Sequence, residues 1–132
     1  MSATTYAQPV SKGANITAWV VQVLLAAAFL GAAGAKLASV PMMVEVFDQI
    51  GLGQGFRFVT AIVEITGALL LLVPGFAALG AVLLGVTMVF AFAAHMLVLH
   101  SNPGGAVLLF ALSMVVVWLR KPQFAALRAR FL

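Results

Sequence analysis

Residues 62–75, IVEITGALLLLVPG, set one carboxylate, Glu64, in a run of aliphatic side chains that stops at a Pro-Gly pair. Working outward, 58–73 carries no other charge, and 76–99 carries none unless His95 is protonated. Two such runs are each long enough to cross much of a hydrocarbon core of about 30 Å. Pro74-Gly75 between them is a tight turn, so the two helices must be antiparallel neighbours. SNPGG, 101–105, does the same before a further apolar run at 106–119, and ITAWVVQVLLAAAFLGAAGAKLA, 16–38, has no charge until Lys36. GAAGA, 31–35, mimics a signal-peptide cleavage site, but the run around it exceeds the roughly 7 to 15 residues of such a segment. It is therefore expected to stay in place as a membrane helix.

Composition agrees. The chain has 132 residues, 64% of them hydrophobic and 8% charged, with a mean hydropathy of +1.19, against about 25% charged residues in a soluble domain. The expected fold is all-α: an integral membrane four-helix bundle forming one domain, 1–132, with crossings at 16–38, 58–73, 76–99 and 106–119 and a basic tail at 120–132. Between the first two crossings, Pro41 suits a first helical turn and Gly51 a helix stop, while Met43, Phe47 and Ile50 recur at helical spacing. That predicts a short amphipathic helix over 41–50 lying at the interface, with Glu45, Asp48 and Gln49 towards water.

No soluble catalytic domain is left over, and an enzyme is not expected. The absence of cysteine excludes disulfides, iron-sulfur clusters and thiolate zinc sites. The net charge of +4 does not point to nucleic acid, because Arg120, Lys121, Arg128 and Arg130 follow directly on an apolar run. They read as a membrane-surface anchor. Basic residues gather on the cytoplasmic side, so the tail and, after four crossings, the N-terminus with Lys12 are expected inside a bacterial inner membrane. Lys36 and Arg57, which then lie near the outer surface, count against this orientation.

Glu64 follows Arg57 by seven residues, about 10 Å deeper on nearly the same helical face. An ionised carboxylate at that depth costs several kcal/mol unless it is paired or protonated, so it should face inward. Thr60, Ala61, Gly67 and Ala68 on that side let another helix come close. Lys36, Arg57, Glu64 and His95 all fall in the outer half of the expected bundle. One reading is a structural Lys36–Glu64 ion pair with Arg57 snorkelling to the interface. The other is a polar pocket in which Glu64 and His95 exchange protons or bind the head of a quinone or lipid. No metal site is expected: His95 and His100 do not share a helical face, and two histidines without cysteines are a poor ligand set. GLGQG, 51–55, lacks the strand and the Lys-Ser/Thr of a phosphate loop.

Gly34-Ala35-Lys36-Leu37, Phe47, Ile50-Gly51, Glu64, Gly67-Ala68-Leu69-Leu70, Pro74, Met88, Ala91 and His95 form, in this order and spacing, a pattern that resembles the DoxX-like family of small bacterial four-helix membrane proteins. The resemblance spans roughly 24–119; Ala61 stands where that family often has glycine. It implies an association with quinone-linked redox systems and singles out Lys36, Glu64 and His95 without assigning them a reaction. The expected role is thus a non-catalytic membrane partner or subunit of a redox or respiratory system, with a quinone or lipid near Glu64. An alternative is a structural accessory subunit of a larger respiratory or photosynthetic complex. A small transporter or stress-protection protein has less support, since neither broken helices nor repeated halves are visible.

Overall fold

A computed structural model describes residues 11–132. Among these the chain is all helical: α1 (Lys12–Leu37), α2 (Pro41–Ile50), α3 (Gln54–Leu72), α4 (Ala77–Ala94), α5 (Gly104–Leu119) and α6 (Pro122–Phe131), with α4 continuing into a π-helical turn at His95–Leu99. Local chemistry accounts for the breaks. Ser11 Oγ accepts from the Ala14 N–H at 3.1 Å and opens α1, as a serine N-cap does. Pro41 stands at the start of α2, and Gly51 closes it at φ 83°, a left-handed conformation that favours glycine. Pro74-Gly75, with Gly75 at φ 90°, reverses the chain between α3 and α4. Asn102 Oδ1 accepts from the Gly104 N–H at 2.8 Å, an Asx turn leading into α5.

The tail, read from the sequence as a basic extension, folds as α6. Pro122 lies in its first turn, where a missing N–H costs nothing. A 69° bend separates it from α5.

Helix α1 packs on α3 and α5, and α4 packs on the same two helices. Small residues make the α3–α4 approach possible. A Cβ on Gly80 would lie 2.7 Å from the Gly67 carbonyl oxygen, and one on Gly67 would lie 2.5 Å from Leu84 Cγ. The core draws Leu25, Ala26 and Phe29 from α1, Ala68 and Leu71 from α3, Ala81, Leu84 and Met88 from α4, and Ala106 and Val116 from α5.

Large apolar side chains also cover the outside: Leu24, Ile62, Phe90, Leu97, Leu108 and Trp118 are all exposed. Only a non-aqueous surrounding makes such a surface favourable over whole helices. Three helices are long and apolar enough to cross a membrane: α1, α3 and α4 together with its π turn. Helix α5, with 16 residues, spans about 24 Å at 1.5 Å per residue. That falls short of a core of about 30 Å, and the stretch is long enough only when α6 is counted across the bend.

Candidate functional site

The antiparallel arrangement brings polar side chains together in two separate layers. One forms where the C-terminal end of α1, the N-terminal half of α3, α2 and the end of α4 meet. Lys36 is in the last turn of α1 and buried, and its Nζ lies 2.9 Å from Oε1 of Glu64 on α3. Glu64 is only 2% exposed. Oε1 is buried, and the Lys36 ammonium is the one donor group among the described residues that reaches it.

Arg57, about two turns before Glu64 on α3, does not reach the carboxylate. Its Nη1 donates to the Lys36 carbonyl and, at 3.0 Å, to Ser39 Oγ, while Nε donates to Gln54 Oε1 at 2.8 Å. Gln54 Nε2 in turn donates to the Val44 carbonyl at 2.9 Å. Arg57 is therefore a clasp that ties the end of α1, the start of α3 and, through Gln54, α2. It is buried rather than extended to an interface, because these acceptors come to it.

Beside this layer is a cavity of about 940 Å³ between α2, α3 and α4, whose walls include Lys36, Glu64, Thr60, Thr87 and His95 among aliphatic and aromatic side chains. Phe47 and Phe56, with ring centres 5.8 Å apart, pack α2 onto the start of α3. His95 opens the π turn; its Nδ1 lies 2.7 Å from Ser101 Oγ, and its carbonyl accepts from the Ser101 N–H at 3.1 Å. Single π turns recur at functional positions in helices. His100 is exposed in a left-handed conformation at φ 49° and takes no part. Among the described residues no three His, Cys, Asp or Glu side chains gather as metal ligands.

The second layer lies at the other end of the same helices. Gln22 of α1 donates from Nε2 to the Leu71 carbonyl of α3 at 2.7 Å and accepts at Oε1 from Arg120 Nε at 2.7 Å. Arg120 Nη1 donates to Asn15 Oδ1 at 2.8 Å, and the guanidinium carbon lies 5.7 Å from the Trp19 ring centre. Arg120 thus departs from the expected surface run. It is 8% exposed and turns inward to two amide oxygens, whereas Lys121, Arg128 and Arg130 stay exposed. The signal for this layer was the pair of amide side chains, Asn15 and Gln22, in the first half of an otherwise apolar helix.

Apolar helices with a hydrocarbon-compatible exterior and an ion pair inside define a membrane protein. The DoxX-like family model matches residues 20–120, and the chain belongs to the DoxX-like family. No curated protein and no solved structure matches it.

Proposed function

We propose that this chain is a non-catalytic membrane partner in a quinone-linked redox system, and that the cavity beside Lys36 and Glu64 holds the head group of a quinone or lipid. The observation that carries the reading is the meeting of a buried ion pair with a large, mostly apolar cavity. Its volume, about 940 Å³, is near the upper end of the range for small-molecule sites. A paired charge that only stabilised helix packing would be better enclosed by side chains than left beside open space.

In this reading α1, α3, α4 and α5 form a four-helix bundle across a bacterial inner membrane, with both termini in the cytoplasm and α2 on the outer face. The exposed charges support that orientation. Lys12, Lys121, Arg128 and Arg130 lie exposed at one end, Glu45 and Asp48 at the other. Lys36 and Arg57, which counted against it, are both buried and engaged, so neither acts as a surface charge in the positive-inside sense.

The test is purification in mild detergent, followed by mass spectrometry of extracted small molecules and of co-purifying proteins. A quinone or single lipid species near stoichiometric amount, reduced by Glu64→Gln, is the expected result, together with a redox protein partner. Wild-type protein that carries neither would overturn the reading.

A further inference from the structure

The cavity's polar end has a definite hydrogen-bonding character, and this inference rests on the cavity reading above. Lys36 and Glu64 already compensate each other's charge across 2.9 Å. A charged head group entering here would leave one excess charge in a low-dielectric site, which is costly. The ligand head should therefore be neutral.

Glu64 narrows the class further. Lys36 Nζ lies against Oε1 at 2.9 Å, and no other donor among the described residues reaches this carboxylate, which leaves acceptor capacity unused. An ionised carboxylate only accepts, while an ammonium only donates. A head group that only accepts, such as a ketone, engages Lys36 but brings nothing to Glu64. A hydroxyl does both: it donates its hydrogen to the carboxylate and accepts from the ammonium. Hydrogen bonds to an ionised partner are also roughly twice as strong as neutral ones. Beyond the head, Phe47, Ile50, Val63, Val86 and Phe90 line the cavity with apolar surface, which suits a hydrocarbon tail.

We infer that the cavity selects a neutral amphiphile with a hydroxyl on its head group over the matching carbonyl compound, with Glu64 as the acceptor that makes the distinction. Binding is the whole of the claim, and no electron or proton is transferred.

Decylubiquinol and decylubiquinone form a suitable probe pair, differing at the head in hydroxyl against carbonyl; farnesol is a non-aromatic alcohol, and dodecanoate a charged head. Affinities are measured anaerobically with the full chain in lipid nanodiscs free of endogenous quinone. The expected result is at least about tenfold tighter binding of decylubiquinol than of decylubiquinone, the lower part of what a hydrogen bond to a charged group contributes, with dodecanoate weakest. Farnesol binding as well as the quinol places the preference in the hydroxyl alone; farnesol failing while the quinol binds places it in a ring hydroxyl, and both support the inference. The double variant Lys36→Met/Glu64→Gln leaves no orphan charge, so it should fold and bring the quinol-to-quinone ratio close to one. Equal binding of quinol and quinone by the wild type, or tightest binding of dodecanoate, overturns the inference and leaves the cavity reading standing. Binding of none of the probes overturns both.

Discussion

The two polar layers are built from similar materials and do opposite things. At the Arg120 end, a cation without a carboxylate partner among the described residues is held by two amide oxygens and an indole ring, with its Nη2 left unpartnered among them. At the Glu64 end a full ion pair is present, and both of its residues are part of the wall of a large cavity. A buried polar group in a finished structural interface has its hydrogen bonds satisfied. Each layer leaves one buried atom short of a hydrogen bond among the described residues, so the contrast lies in the cavity beside the Glu64 layer and in the kind of charge each layer holds. The cavity gives the Glu64 layer a place where a ligand can enter, whereas the Arg120 layer ties α1, α3 and the end of α5 to one another.

The largest effect that sharpens this contrast is expected from Glu64→Ala. It leaves Lys36 buried and uncompensated, a change that costs about 3–5 kcal/mol in comparable pairs. The paired replacement Lys36→Met/Glu64→Leu removes both charges and should recover most of that loss. Thermal unfolding in detergent reads both. If the single and double variants unfold alike, the pair is not a coupled unit and the comparison fails at its base.

Arg120→Met acts on the other layer. It strips Gln22 and Asn15 of their donor, so unfolding should become easier by about 1–3 kcal/mol, the usual cost of an orphaned buried polar group. Ligand retention, measured on the same preparation, should not change. A loss of bound ligand from Arg120→Met as large as that from Glu64→Gln would mean that both ends serve one site.

Between the layers, the helix contacts themselves can be tested. Gly80→Ala drives a Cβ to 2.7 Å from the Gly67 carbonyl and 2.8 Å from Leu70 Cβ, and overpacking of this kind costs about 1–3 kcal/mol. Gly31→Ala on α1 meets nothing within 4 Å and should be neutral or, through helix propensity, stabilising by up to about 1 kcal/mol. Opposite signs for two glycine-to-alanine changes in apolar helices would separate close approach from mere composition.

Much of the Glu64 layer was legible because ionisable residues in apolar runs are few, and helical geometry fixes their depth. Lys36 and Glu64 therefore stood out, and their pairing needed only one lateral contact that spacing along a single helix does not supply. The Arg120 layer left only the amides Asn15 and Gln22 as a sign in the sequence, and nothing local joined them to Arg120. A basic residue after an apolar run normally turns to the surface, and the partners that draw Arg120 inward lie 105 and 98 residues away in sequence. Local rules see neither. The Arg57 clasp was missed similarly, because its acceptors are a backbone carbonyl, a serine hydroxyl and an amide oxygen, which carry no sequence signature. The π turn at His95–Leu99 has no proline or glycine to announce it, whereas α6 did carry a signal in Pro122 followed by alanine, leucine and arginine, all good helix formers.

The smallest energetic effect, and the one that bears on which layer faces the cytoplasm, belongs to the exposed cations. Lys121, Arg128 and Arg130 contact no buried partner, so replacing all three with glutamine should leave unfolding within about 0.5 kcal/mol. Each does contribute about 1 kcal/mol of attraction to an anionic leaflet, and together they weigh on insertion. Because the chain has no cysteine, Leu52→Cys, an exposed position between α2 and α3, is a clean reporter of sidedness. In the parent it should react with a membrane-impermeant maleimide added outside spheroplasts. With the three cations removed, a fraction of molecules should invert and the labelled share should drop, while the folded protein stays as stable as before. Full labelling in both would show that the exposed cations do not set the orientation. The acidic α2 end would then owe its position to something other than the charge asymmetry that distinguishes the two ends.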